Sequence, residues 1–228
     1  MLAIAHRFGN QVGDLRVALD AGVDLVEADV HLYRRELEVR HAKTLGPHLL
    51  WDTWRLIRRK GMTLPDLAAV LAELGNDDAR LMLDLKGTHR GLAPQAARLL
   101  RALAPDLPVT VCTKHWWMFD AFADDPHVRL VPSAGTRVHL TRLRRRLRTN
   151  KTLAGGRRPF ALSLRHSILT PAIVEELHRS VERVLAWPVH TRAALDHARS
   201  LSVDGVIGKD IDLLAELVQA RRSASEQG

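Results

Sequence analysis

The chain has 228 residues, of which 46% are hydrophobic, and its formal net charge is +8. This composition excludes a disordered chain and supplies enough apolar residues for a sizeable core. No charge-free apolar run is long enough to cross a bilayer, and the N-terminus lacks the basic segment of a secretory signal. We therefore expect a cytoplasmic protein that could bind peripherally at a membrane. The single cysteine, Cys112, fits a reducing compartment.

Short apolar runs alternate with longer segments of helical spacing along the whole chain. The predicted strands are 2–6, 24–30, 80–86, 108–113, 128–132, 159–164, 183–189 and 204–208. The predicted helices are 11–21, 64–75, 92–103, 115–123, 137–148, 171–180, 191–200 and 210–222. This alternation predicts an α/β fold with a parallel sheet, and eight such units match a compact (β/α)8 TIM barrel. An open doubly wound sheet is the alternative, although no GxGxxG motif follows the first strand.

We assign residues 1–222 to a single barrel domain and residues 223–228 to a disordered tail. Within the barrel, residues 31–62 are too long for an ordinary loop, so we expect a short insertion between strand 2 and helix 2 at the barrel mouth. Its Trp51 and Trp54 lie beside several arginines and could dock on an anionic interface. We favour the alternative that both pack beneath the insertion, because exposed tryptophans are uncommon.

Three carboxylates stand at the ends of predicted strands. Glu27 and Asp29 are two residues apart, so both side chains project from the same face of strand 2, and Asp84 occupies the matching level of strand 3. At the carboxyl end of a barrel, that face is the interior mouth. Neighbouring carboxylates repel each other unless a cation or a proton separates them, and oxygen ligands favour Mg²⁺ or Ca²⁺. The alternative is that Glu27 and Asp29 pair with arginines.

Two histidines and two cations accompany the carboxylates. His6 ends strand 1, and His41 ends the first part of the insertion. Two imidazoles can serve as acid and base in one catalytic cycle. Arg7, next to His6, offers a planar fork that suits phosphate, and Lys86 adds a second cation two residues beyond Asp84. The alternative for Lys86 is an ion pair with Asp84 or Glu27.

The order of these residues resembles the glycerophosphodiester phosphodiesterase family, which belongs to the phospholipase C-like barrel phosphodiesterases. That family has the successive motifs His-Arg-Gly, Glu-x-Asp-Val, His-Asp, Glu-x-Lys, Trp-Thr-Val-Asn and Val-Asp-Gly-Ile. The similar segments of this chain are His6-Arg7, Glu27-x-Asp29, His41, Asp84-x-Lys86, Trp187-Pro-Val-His190 and Val203-Asp204-Gly205-Val206-Ile207. The resemblance runs in order through nearly the whole chain.

The resemblance implies a barrel phosphodiesterase that hydrolyses glycerophosphodiesters to glycerol 3-phosphate and an alcohol. It implies one divalent cation, Mg²⁺ or Ca²⁺, with Glu27, Asp29 and Asp84 as its ligands. It also assigns acid–base catalysis to a pair of histidines and phosphate binding to two cations, with a substrate pocket beyond them. The acid–base pair is His6 and His41, and the phosphate-binding cations are Arg7 and Lys86. The substrate pocket contains Trp187 and His190.

Several departures from the family pattern suggest a divergent member with altered substrate choice. Phe8 follows His6-Arg7 in place of glycine, Ala42 follows His41 in place of aspartate, and Asp84 is one methylene shorter than glutamate. Two alternatives stay open. One is a lysophospholipase D-like hydrolase that acts on membrane lysophospholipids. The other is a non-catalytic basic barrel that binds phosphate-bearing ligands; we expect no nucleic-acid partner, because no recognition motif for it is present.

Overall fold

The computed structural model describes residues 1–60, 62, 64–74, 81–149 and 153–226. Twelve strands are described: β1 Leu2–Ala5, β2 Leu25–Tyr33, β3 Glu36–Val39, β4 Lys43–Leu45, β5 Leu49–Asp52, β6 Arg55–Arg58, β7 Leu81–Leu85, β8 Thr110–Thr113, β9 Arg129–Ala134, β10 Leu162–Arg165, β11 Val184–Trp187 and β12 Gly205–Gly208. The α-helices are α1 Val12–Asp20, α2 Leu67–Leu74, α3 Leu92–Leu103, α4 Arg137–Arg148, α5 Pro171–His178, α6 Arg192–Ser200 and α7 Ile211–Glu226.

Eight of the strands form a closed parallel barrel in the order β1-β2-β7-β8-β9-β10-β11-β12. The barrel closes because β1 pairs with β2 on one side and with β12 on the other. This arrangement confirms the predicted (β/α)8 TIM barrel. Among the described residues, no helix is both long enough and apolar enough to cross a bilayer.

The barrel strands bury both faces, which explains why they are almost continuous apolar runs. Side chains that point inward fill the barrel interior: Ile4, Leu25, Met82, Cys112, Val131, Ala161, Leu185 and Ile207. Their neighbours along each strand, such as Val26 and Ala28 of β2, pack outward in the larger cluster that includes the helix side chains. Leu25, Glu27 and Asp29 occupy alternate positions of β2, so the two carboxylates project inward like Leu25 and face the mouth of the barrel.

The connection after β8 is a 3-10 helix over Trp116–Phe122 and not the predicted α-helix 115–123. Aromatic residues lose side-chain freedom in an α-helix, so the local propensity of this segment for an α-helix is weak. The burial of Met118, Phe119 and Phe122 against the barrel decides the backbone conformation instead. Thr170 caps the N-terminus of α5, because its side chain accepts a hydrogen bond from the backbone N–H of Ile173.

The insertion between β2 and α2 contains two pieces of antiparallel sheet. β3 pairs with the end of β2 as a hairpin, and β4, β5 and β6 form a separate three-stranded sheet. Leu50 of β5 is fully buried beneath that sheet. Trp51 and Trp54 are exposed, so the expectation that both pack beneath the insertion is wrong. The reason is register: Trp51 is adjacent to Leu50 along β5 and therefore projects from the opposite face.

The last helix is longer than the sequence predicted. α7 continues to Glu226, so residues 223–226 are helical and not part of a disordered tail. Two contacts hold the end of this helix. Arg221 forms a bidentate ion pair with Asp24 at 2.8 Å for both oxygens, and the Ser225 hydroxyl donates to the carbonyl of Arg221. Residues 227–228 of the predicted tail lie outside the described residues.

Candidate active site

The three predicted carboxylates meet at the carboxyl ends of β2 and β7. Parallel pairing places Asp29 directly beside Asp84 across the two strands. One oxygen from each of Glu27, Asp29 and Asp84 can be chosen so that all three lie within 4.8 Å of one another. Glu27 and Asp29 are buried, whereas Asp84 is half-buried at the mouth. This triangle of oxygens is the centre of the candidate site.

The carboxylate triangle carries more negative charge than its surroundings compensate. Burial, followed by repulsion from Asp29, raises the pKa of Glu27 well above its ordinary value. Burial likewise raises the pKa of Asp84, with further repulsion from Asp29. A group of three buried or half-buried carboxylates therefore favours an added proton or an added cation.

Lys86 supplies one positive charge to this triangle. Its ammonium nitrogen lies 2.8 Å from Oδ1 of Asp29 and also contacts Oδ2 of Asp84. Burial alone would raise the pKa of Asp29, but the charge of Lys86 and hydrogen bonds from Lys86 and Asn10 lower it to about 2. Burial alone would lower the pKa of Lys86, but the charges of Asp84 and Asp29 together raise it well above the ordinary value. The Asp84 ion pair considered from the sequence is therefore present.

A tight turn after β1 supports the carboxylates from the other side. Arg7 has a left-handed backbone (φ 68°), which is uncommon for a residue with a side chain, and its N–H donates to Oε2 of Glu27 at 2.7 Å. Asn10 makes a reciprocal pair with Asp29: its Nδ2 donates to Oδ2 at 2.9 Å, and its Oδ1 accepts from the Asp29 N–H at 2.7 Å. Gly9 permits this approach, because a Cβ there would lie 2.7 Å from the Cβ of Ala28.

His6 lies at the edge of the carboxylate triangle. Its Nε2 is 3.9 Å from Oε2 of Glu27, and its ring stacks on His190 with centroids 5.7 Å apart and an interplanar angle of 13°. Burial, followed by the charge of Arg7, lowers the pKa of His6 to about 3, so the ring is neutral at pH 7. The Arg7 guanidinium stands beside it, with Nε 3.7 Å from Oδ2 of Asp29.

His41 reaches the mouth from the insertion, where it has a partner that the sequence did not reveal. Its Nδ1 lies 2.5 Å from Oδ1 of Asp52, at the end of β5. Burial disfavours the charged form of Asp52, but the hydrogen bond from His41 and the charge of His41 lower the pKa of Asp52. The hydroxyl of Thr53 also donates to the same oxygen, at 3.2 Å.

His31 is a second residue that sequence reasoning missed. It is buried on β2, two residues beyond Asp29, and burial, followed by the charge of Arg40, lowers its pKa to about 3. The signal was available, because Glu27, Asp29 and His31 alternate on one face of the same strand.

Trp187 and His190, the predicted pocket residues, make different contacts. Trp187 packs closely over Gly135, where a Cβ would come within 2.9 Å of its ring. His190 contacts His6, and its Nδ1 accepts a hydrogen bond from the backbone N–H of Lys209 at 3.0 Å. His190 therefore borders the candidate catalytic pair directly, whereas Trp187 forms part of the wall beside the barrel interior.

The donor set of the triangle fits a hard divalent cation. Its ligand atoms are carboxylate oxygens, which Mg²⁺ and Ca²⁺ prefer, and no sulfur atom takes part. Burial, followed by repulsion from Asp29, disfavours the ionised form of Glu27, and a bound cation would offset that cost. Glu27, Asp29 and Asp84 are therefore suitable to hold one divalent ion, and Asp84 reaches the group despite its shorter side chain.

Comparison with known proteins gives a fold likeness without a sequence match. No protein-family model and no curated protein matches the chain. A phosphodiesterase from Oleispira antarctica in complex with the product sn-glycerol-3-phosphate is 16% identical, with 96% of this chain and 97% of that chain covered and a TM-score of 0.71.

Two glycerophosphodiester phosphodiesterases give similar values. The one from Thermotoga maritima is 15% identical over 95% of this chain and 98% of that chain, with a TM-score of 0.69. The one from Parabacteroides distasonis is 17% identical over 97% of this chain and 98% of that chain, with a TM-score of 0.68. At these identities, the likeness establishes the shared (β/α)8 fold.

Proposed function

We propose that this chain is a divergent member of the glycerophosphodiester phosphodiesterase family, an enzyme that hydrolyses a glycerophosphodiester to sn-glycerol 3-phosphate and an alcohol. The observation that carries this proposal is the meeting of a carboxylate triangle with two histidines at the mouth of the barrel. The named substrate class of the similar structures supports it, and those names do not favour the membrane lysophospholipid considered as an alternative.

Glu27, Asp29 and Asp84 would hold one divalent cation, Mg²⁺ or Ca²⁺. When bound, such an ion neutralises charge on the phosphoryl oxygens and lowers the cost of the transition state. The residues around it contribute the positioning. Asn10 fixes the orientation of Asp29, and the Arg7 backbone N–H fixes that of Glu27.

Arg7 and Lys86 are the phosphate-binding cations of the proposal. The guanidinium of Arg7 presents a planar set of donors beside the carboxylate triangle, which suits two oxygens of one phosphate. Lys86 remains an ammonium at neutral pH because Asp84 and Asp29 hold its proton against the cost of burial. Both positive charges therefore lie at the carboxylate triangle, where the phosphate of the substrate would bind.

His41 and His6 transfer the protons. Asp52 holds His41 by Nδ1, so that Nε2 is the nitrogen left for the substrate, and the carboxylate compensates the charge of the doubly protonated ring. We assign His41 as the acid and His6 as the base. A hydroxyl oxygen, from water or from the glycerol itself, loses its proton to His6 as it bonds to phosphorus. The phosphorus–oxygen bond to the alcohol breaks, and that oxygen takes the proton of His41. When the nucleophile is a glycerol hydroxyl, the first product is a cyclic phosphodiester, and water then opens the ring to glycerol 3-phosphate with the proton roles of the two histidines reversed.

The decisive experiment is hydrolysis by purified protein. We expect release of sn-glycerol 3-phosphate from at least one of glycerophosphocholine, glycerophosphoethanolamine and glycerophosphoglycerol in the presence of Mg²⁺ or Ca²⁺, and none after chelation. His41→Ala should lower kcat about 10²- to 10⁴-fold. His178→Ala is the matched control, because His178 also pairs with an aspartate, Asp204, at 2.7 Å but at the amino end of the barrel. Absence of hydrolysis across the panel with either metal would refute the proposal.

A further inference from the structure

One face of the three-stranded sheet in the insertion carries mostly apolar side chains. Antiparallel pairing sets Lys43 opposite Trp51 and Trp51 opposite Leu56, so all three project from one face. The next positions on that face are Leu45, Leu49 and Arg58. We call these six residues the outer face: Lys43, Leu45, Leu49, Trp51, Leu56 and Arg58. The opposite face is the one that carries buried Leu50 and the Asp52 partner of His41.

Three of the four apolar members of the outer face are exposed to solvent, although a sheet normally turns such residues inward. Leu45 is 52% exposed, Trp51 41% and Leu56 54%. Trp54, in the turn between β5 and β6, is 86% exposed and extends the same surface at its tip. Contiguous exposed apolar residues of this kind indicate an interaction surface.

The charge around this surface is positive. Residues 43–60 contain five lysines and arginines but one carboxylate, Asp52, and that carboxylate is taken up by His41. Arg59 contacts Glu38 on the barrel side. The remaining four cations are exposed and have no ion-pair partner within the described residues: Lys43, Arg55, Arg58 and Lys60. Their charge is complementary to an anionic partner.

We propose that the outer face and Trp54 dock on an anionic lipid bilayer. Tryptophan has an apolar ring with one polar N–H and prefers the boundary between headgroups and acyl chains. Lysine and arginine bury their stems in that boundary and keep their charges at the phosphates. The surface is one face of a three-stranded sheet with an exposed turn, and no groove of the kind that binds peptides is described on it.

Docking in this way would set the catalytic mouth close to the membrane surface. The sheet has two faces, one of which would contact lipid while the other holds His41 through Asp52. The inference goes beyond the proposed hydrolysis and does not depend on it, because lipid binding is measured without turnover.

Flotation with vesicles tests the docking. We expect the protein to float with phosphatidylcholine vesicles that contain 30% phosphatidylserine at low salt, to float much less with pure phosphatidylcholine, and to be released by added salt. Trp54→Ser should weaken the binding about tenfold. Arg55→Gln should weaken it roughly fivefold and reduce the salt dependence.

Leu56→Ser and Leu103→Ser form a matched pair, because the two leucines are 54% and 53% exposed and only Leu56 lies on the outer face. Leu56→Ser should weaken flotation, whereas Leu103→Ser should leave it unchanged. Equal effects of both variants, or no flotation of the wild-type protein at low salt, would overturn the proposal. So would self-association in the absence of lipid that Trp54→Ser abolishes, since a second copy would then cover this face. Unchanged hydrolysis of a soluble diester by Trp54→Ser separates docking from catalysis.

Discussion

Nδ1 of His41 lies 2.5 Å from Oδ1 of Asp52, although the two residues are eleven positions apart in the chain. The contact is made because β4 and β5 fold back on each other, which returns the end of β5 to the segment that precedes β4. His41 is thereby held by the insertion, while its free nitrogen is available at the barrel mouth. This relationship underlies the assignment of His41 as the acid.

Asp52→Asn should lower kcat for glycerophosphodiester hydrolysis at least about tenfold with little change in KM. The amide keeps the size of the side chain but no longer compensates a charged imidazole, so proton donation suffers while substrate binding does not. Thr53→Ala removes only the weaker 3.2 Å hydrogen bond to Asp52 and should stay within about twofold of wild type. Wild-type kcat in Asp52→Asn would contradict this role.

Mg²⁺ or Ca²⁺ should bind directly and stabilise the folded protein. A ligand of the native state raises stability by about 2.7 kcal/mol at a hundred times its Kd, which calorimetry and thermal unfolding both detect. Glu27→Gln removes one charged ligand and should weaken the binding at least about tenfold. A chelator should abolish the rise in melting temperature that the metal gives the wild-type protein. Apart from the intrinsic effect of the substitution on stability, the wild-type protein should then melt at the same temperature as Glu27→Gln without added metal. A metal titration that is identical in both proteins would show that Glu27 is not a ligand.

Asn10→Asp should destabilise the fold by about 1 to 3 kcal/mol in urea denaturation at pH 7. The substitution replaces the donor to Oδ2 of Asp29 by a second carboxylate in a buried position. Asn10→Ser, which is shorter but uncharged, is the control and should cost less. Equal losses in the two variants would mean that the repulsion is unimportant and that only the lost hydrogen bonds matter.

Glu176→Gln should lower stability by about 0.5 to 1 kcal/mol at pH 7. Glu176 joins α5 to α4: Arg144 donates Nε to Oε1 at 3.1 Å and also contacts Oε2, and Arg148 donates to Oε1 at 2.8 Å. These hydrogen bonds, those of Arg144 first, lower the pKa of Glu176. A lowered pKa in the folded state gives stability that is complete above the ordinary glutamate pKa and disappears as pH falls through the lowered value.

The difference between wild type and Glu176→Gln should therefore shrink towards zero below about pH 4, and also in high salt. Glu175→Gln is the control. Glu175 contacts Arg179 at 3.4 Å, but both side chains are exposed and only four positions apart, so this ion pair does not join two helices. Urea denaturation at pH 7 and at pH 3.5 measures both variants. A difference that grows on acidification would have the wrong sign for this explanation.

The amino-acid sequence determined the barrel and the chemical character of its mouth. Alternating apolar runs and helical segments follow from local backbone periodicity, and a spacing of two residues places Glu27 and Asp29 on one face whatever the rest of the chain does. The level of Asp84 follows from parallel pairing of neighbouring strands, which the order of elements already implied. These features need only local geometry and the rules of parallel sheets.

Tertiary structure decided which groups meet and which faces are exposed. The pairing of Asp52 with His41, and the position of Lys86 between Asp29 and Asp84, depend on sheet register and on distances between side chains that no spacing encodes. Trp51 is exposed because a shift of one residue along a strand moves a side chain to the other face. Periodicity identifies two faces of a short strand, but only packing against the barrel decides that Leu50, and not Trp51, is covered.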